Sequence, residues 1–221
     1  MVIAHIATIP ERENSLRQVI ASVSPQVDKT YVSMNGYQVK PDWLRMERNV
    51  FTELLDNSLG DGAKWLHVND EPAICFFLDD DLVVAHNYVK YMFYGLEKHG
   101  SAVSLHGRKY VKPVKSFRRN FTANYRCLGN VANDEQVQLL GTGCMAFDNR
   151  QVKLDSSVFE YRLMADVLFS RFCVTNNIAM TVLSHKAGQY LKYLPPADGK
   201  TIWRNTTDDR IQTFILNSFL K

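Results

Sequence analysis

The sequence predicts an α/β fold with a mixed, mostly parallel sheet flanked by helices. Short apolar runs alternate with amphipathic stretches along the chain, as in "VIAHIAT", "SLRQVIASV" and "KTYVSMN". That strand–helix–strand rhythm is the signature of layered α/β proteins. The run "AICFFLDDD" is apolar up to Leu78 and then turns abruptly into Asp79, Asp80 and Asp81. A buried strand whose carboxyl end opens on a ligand site reads this way. Hydrophobic residues make up 46% of the 221 and charged residues 22%, which is ordinary for a packed globular chain and excludes wholesale disorder.

The elements follow in order. Residues 2–8 form the first strand. Pro10 opens a helix whose Leu16, Val19, Ile20 and Val23 share one face. Residues 29–36 alternate like a strand and stop at Asn35-Gly36, a strong turn pair. "NVFTELL" is a third strand. "SLGDGAKWLHVN" starts with two glycines and then turns helical. Residues 73–81 are a strand, 86–100 a helix stopped by Gly100, and "SAVSLHG" another strand. Residues 108–133 are polar and basic, with scattered aromatics and no clear period. "EQVQLLGTGCMAFD" returns to strand character around a tight Gly141-Thr142-Gly143. Residues 162–177 carry an apolar helical stripe, "IAMTVLSHK" is the last strand and "DDRIQTFILNSFL" a closing helix. With no repeat, low-complexity tract or linker, one domain spanning 1–221 is expected.

Net charge is +3 and the isoelectric point about 8.6, below what a dedicated nucleic-acid-binding domain shows. The charge is uneven. Between Lys98 and Asn133 stand eight Lys or Arg and no Asp or Glu. None of Cys75, Cys127, Cys144 and Cys173 forms a CxxC pair, so zinc-knuckle and thioredoxin-like readings fail. Cys75 and Cys144 sit in apolar surroundings and are expected to be small buried residues, in a reduced, cytoplasmic setting. No segment has the apolar length to span a bilayer, and "MVIAHIATIPERE" lacks the basic start of a signal peptide.

Three adjacent carboxylates repel one another and call for positive charge. Hard oxygen ligands suit magnesium or manganese, and such ions are usually held by one or two carboxylates, with substrate phosphates completing the shell. The plainer reading is a solvated strand end with Asp80 or Asp81 capping the next helix. This is not a phosphate-binding P-loop, because the G-x-x-x-x-G-K-[ST] spacing is absent.

Eight stretches in register carry a resemblance. They are "IATIPERENSLRQVIASVSPQVDKTYVSMNGY", "SLGDGAKW", "FFLDDDLVVAHNYV", "VSLHGRKY", "LLGTGCMAFD", "MADVLFS", "SHKAGQYLKYL" and "TIWRNTTDDRIQTFIL". Together they resemble a GT-A glycosyltransferase of the family-2-like bacterial and phage type, a Rossmann-like nucleotide-diphospho-sugar transferase fold. The resemblance covers most of the chain. It implies a nucleotide-binding half, 1–105, and an acceptor-binding half with a closing segment, 106–221.

The resemblance also implies roles. Asp79 and Asp81 form an Asp-x-Asp that holds manganese or magnesium on a nucleotide-sugar donor, with a UDP-sugar expected. Asp81 is the direct metal ligand, Asp79 binds metal or ribose, and Asp80 supports either role. His185 is a third metal ligand. Asp166, at a helix start, is the base that deprotonates the acceptor hydroxyl. Lys64 reaches a phosphate or braces the acids. Thr8, Pro10, Arg12 and Asn35 line the nucleotide pocket by position. Gly141-Thr142-Gly143 suits a sugar or acceptor wall, or a plain bulge; His106-Gly107 is similar, with a structural role favoured. The basic 108–119 stretch, with Tyr110 and Phe117, reads first as a solvated loop, and otherwise as a site for an anionic glycan or other hydroxyl acceptor, with nucleic acid less favoured. Residues 200–210, with Trp203, form an expected lid.

Two other readings stay open. A sugar-nucleotide nucleotidyltransferase also sets acids on a metal–triphosphate but has no need of Asp166. A non-catalytic glycan- or nucleic-acid-binding domain on a transferase fold is the other. A haloacid-dehalogenase-type hydrolase is excluded, because Val83 stands where its Asp-x-Asp-x-Thr motif needs threonine.

Overall fold

The computed structural model describes residues 1–151, 153–154, 156–195 and 208–220. Its centre is a sheet in the order β3-β2-β1-β4-β11-β6-β12-β9. The strands are β1 (Val2–Thr8), β2 (Lys29–Asn35), β3 (Val50–Leu55), β4 (Ile74–Asp79), β6 (Ala102–Ser104), β9 (Glu135–Gln136), β11 (Cys144–Asp148) and β12 (Met180–Val182). β1 to β4, β6 and β12 run one way; β9 and β11 run against their neighbours. The sheet is mostly parallel, as expected.

Strand alternation builds the layers. On β4, Phe76 and Leu78 point into one core with Ala4 and Ile6 of β1, while Cys75 and Phe77 point into the other with Ile3. Fully burying each Ile, Leu or Phe among them stabilises the fold by about 1.5–3 kcal/mol. The first core is covered by α1 (Glu13–Val23), through Leu16, Val19, Ile20 and Val23, and by α2 (Tyr88–His99), through Tyr88, Val89, Met92 and Leu96. The second packs Trp65, Phe77 and Phe169 in a stack against α3 (Ala165–Thr175). α4 (Arg210–Phe219) closes a third cluster with Ile215, Leu216 and Phe219.

Several expectations need correction. Pro10 starts a short 3-10 turn, Pro10–Arg12, and α1 follows it. The glycine-led stretch forms a 3-10 segment, Gly60–Trp65, and does not continue as a regular helix. "SAVSLHG" is not one strand: β6 ends at Ser104 and β7 (Gly107–Tyr110) starts a second sheet with β10 (Leu139–Leu140) and β8 (Phe121–Tyr125). "EQVQLLGTGCMAFD" divides into β9, β10 and β11, because two turns redirect it between sheets. β12 is not the last strand. β13 (Leu191–Tyr193) follows and pairs with β5 (Leu82–Val84), just after the acids. Residues 200–207 of the expected lid lie outside the described residues.

Candidate active site

The parallel strands β1, β2, β4 and β6 end at Thr8, Asn35, Asp79 and Ser104. Antiparallel β11 starts at the same edge, so the Gly141-Thr142-Gly143 turn lies beside the acids, and Asp79 N–H donates to the Gly143 carbonyl at 2.9 Å. The acids do not cap the next helix, as the plainer reading had it. β5 intervenes, and α2 begins after Asn87.

Each acid has its own partner. The Thr8 hydroxyl donates to Asp80 Oδ2 at 2.7 Å, and Arg12 Nη1 pairs with Asp81 Oδ2 at 3.0 Å. Lys64 Nζ meets Asp79 Oδ1 at 3.1 Å and the Thr142 carbonyl at 3.2 Å. Of the two outer acids, Asp79 is the open one, its side chain 52% exposed against 17% for Asp81. Burial, then repulsion from Asp81, pushes the Asp80 carboxyl up to about 7, against the Thr8 hydrogen bond. Burial and Asp79 push Asp81 up to about 6. Burial of the Lys64 ammonium opposes its charge, but Asp79, Asp61 and Asp166 outweigh it and the pKa rises.

Asp166 lies in the first turn of α3. Its Oδ1 accepts both the Thr142 N–H (2.8 Å) and the Thr142 hydroxyl (2.7 Å). Its Oδ2 has no hydrogen-bond partner among the described residues. The structure therefore joins Asp79 to Asp166 through Lys64 and Thr142. Asp61 adds a contact that sequence reasoning missed: its carboxylate accepts Leu163 N–H at 2.6 Å and Ala165 N–H at 3.1 Å. Burial pushes its carboxyl upward, against the pull of Lys64. An acid between two glycines was visible, but its partners lie more than a hundred residues away.

The other expected residues fall in two places. Asn35 is buried at the end of β2, its Nδ2 donating to the Gly60 carbonyl at 2.9 Å, and its Oδ1 has no partner among the described residues. Pro10 lines an open groove of about 480 Å³ with Glu13, Gly36, Tyr37 and Trp43. His185 is buried three residues past the end of β12. Its Nδ1 faces the Leu183 carbonyl at 2.8 Å and its Nε2 the Arg126 carbonyl at 3.2 Å. Among the described residues, no three His, Cys, Asp or Glu side chains already surround one point. His106 packs on Gly141, where an added Cβ would lie 2.6 Å from its Cδ2. In the basic stretch, Arg108 is buried over the Phe117 and Phe121 rings at 5.5 and 5.3 Å. Lys109 pairs with Glu135, while Lys115 and Arg119 are exposed. A second cavity, of about 280 Å³, opens between Ile74, Leu96 and Phe147 at the opposite end of β4 from the acids.

This architecture has a solved counterpart. The fold is similar to that of a glycosyltransferase. The crystal structure of S. aureus TarS, residues 1–349, superposes with a TM-score of 0.55 at 16% sequence identity, covering 99% of this chain and 70% of that one. No protein-family model matches the sequence, and no curated protein matches it. No helix among the described residues is long and apolar enough to cross a membrane.

Proposed function

We propose that the chain is a metal-dependent glycosyltransferase that moves a sugar from a nucleotide-sugar donor to a hydroxyl acceptor with inversion. One observation carries the reading: the acids at the carboxyl edge of the sheet and Asp166 share one site, linked through Lys64 and Thr142. On a fold similar to a glycosyltransferase, that pairing supports a reading in which the acids face a diphosphate and Asp166 is the base.

The residues fit a divalent cation. The donor set is hard oxygen, and Asp80 meets a hydroxyl where its neighbours meet Lys64 and Arg12. Asp79 and Asp81 are the residues that would hold the ion; His185 would have to exchange its carbonyl partners to join them. The chemistry supplied by a bound ion is Lewis-acid stabilisation of the leaving diphosphate. Asn35 supports a nucleotide with a ring N–H, because its orphaned buried Oδ1 is an acceptor seeking a donor. Uracil has such a group, which favours a UDP-sugar. Asp166 Oδ2 takes the proton of the acceptor hydroxyl, while Thr142 fixes Oδ1 and so the direction of the free lone pairs. The exposed Lys115 and Arg119 suit an anionic acceptor.

The test is calorimetric titration of UDP with and without manganese, into the wild type and Asp81→Ala. Binding that needs both manganese and Asp81 is expected. If no nucleotide shows metal-dependent binding, the reading falls and a non-catalytic binding domain takes its place.

A further inference from the structure

The turn Gly60–Trp65 reaches Asp166 from two directions. Met164, at the N-cap of α3, makes no side-chain capping bond, so the helix has no cap of its own. Asp61 supplies the cap instead, both oxygens accepting main-chain N–H groups, from Leu163 and Ala165. Ala165 is the residue next to Asp166. Leu163 sits at φ 59°, a left-handed conformation that a leucine adopts only when its surroundings hold it there. The flanking glycines let the turn press close. A Cβ on Gly60, itself at φ 56°, would lie 3.3 Å from Arg162 Nε, and one on Gly62 would lie 3.3 Å from Phe159 Cβ. Three residues on from Asp61, Lys64 holds the Thr142 carbonyl, and Thr142 holds Asp166 Oδ1.

We propose that Asp61 is a positioning residue: it clamps the start of α3 so that Asp166 stays docked on Thr142 and at a set place relative to Asp79. The catalytic part of this rests on the glycosyltransferase reading; the clamp itself does not. A displacement of about 1 Å at a reacting group costs rate by about 100-fold, so a clamp one residue from the base has leverage.

The experiment compares full-length wild type, Asp61→Asn and Asp61→Ala by amide hydrogen exchange, read by NMR at Leu163, Ala165 and Thr142. Thr142 is the deciding amide, because no hydrogen bond joins it to Asp61. In Asp61→Ala, exchange at all three should rise by about fivefold to tenfold, the loss expected for a missing cap. Asp61→Asn, which keeps one acceptor, should fall between. Faster exchange at Leu163 and Ala165 with Thr142 unchanged would overturn the proposal and leave Asp61 a simple helix cap. Should Asp61→Ala fail to fold, Thr142 exchange in Asp61→Asn decides alone. With a competent donor, kcat should drop by about 100-fold with donor KM within about twofold; an unchanged kcat also overturns it. A wild type with no transfer activity on any donor defeats the glycosyltransferase reading, while the Thr142 amide still decides the clamp.

Discussion

A methyl group on Gly143 would collide with the Asp79 carboxylate, since its Cβ would sit 2.5 Å from Asp79 Cγ and closer still to Oδ2. The main chain approaches the acid this closely only because glycine has no side chain. Gly143→Ala should therefore turn Asp79 away from Lys64 and weaken metal-dependent UDP binding by about tenfold, a loss of roughly 1.4 kcal/mol. Calorimetry checks it, and undiminished affinity would show that Asp79 has another place to go. At this scale the sequence showed the chemistry-bearing groups and hid their pairings. Asp79, Asp80, Asp81 and Asp166 stand out as acids beside apolar runs. That Thr8 serves Asp80 and Arg12 serves Asp81 is invisible, since those partners are 72 and 69 residues apart. Position alone assigns both to the nucleotide pocket.

Helix α2 packs on the strand edge through a notch at Gly95. A Cβ there would lie 2.8 Å from Leu183 Cδ2 and nearer to Cδ1. Alanine is the better helix former by about 1 kcal/mol, whereas overpacking a filled core costs about 1–3 kcal/mol. Leu183 is buried and has little room to yield, so the clash wins. Gly95→Ala should lower stability by up to about 2 kcal/mol in urea denaturation, and adding Leu183→Val should recover part of it. Elements with long apolar periods, such as β1, β4, α1 and α3, were legible within a few residues of their bounds. The stretch 108–133 was not, and the strand character read after it concealed the breaks between β9, β10 and β11. The strands β7, β8, β9 and β10 are two to five residues long, and β8 only half-buries its inward side chains, Phe121 and Tyr125 among them, at the margin of two core clusters. Short strands are specified by their neighbours across the ladder, and those pairings leave no local period.

For the molecule as a whole, His5 sets an acid limit. It is buried in β1 between the Tyr31 and Phe77 rings, and neither ring nitrogen has a hydrogen-bond partner among the described residues. Burial, with help from His67, lowers its pKa to about 3 from 6.5. Between those values the unfolded chain takes up the proton and the folded one resists, so stability falls as pH drops through that window and is unaffected above it. The slope reaches about 1.4 kcal/mol per pH unit. His5→Phe keeps the stack and removes the titration, and should flatten the acid limb between pH 6.5 and 3 in denaturant melts; an unchanged limb would assign it to other groups. The layering was readable because it follows from alternation and period, whereas strand order was not, because it depends on where β11 turns back. That strand lies between β4 and β6, and the turn leading into it supplies the Gly143 carbonyl to which the Asp79 N–H donates. Cutting the chain near residue 105 would thus strip the acid-bearing strand of one of its two neighbours, β11, and leave a raw, apolar sheet edge. The two stretches of sequence are separable on paper only, so a chimera that exchanges one without the other should lose stability at this seam, and a denaturant melt of each chimera checks it.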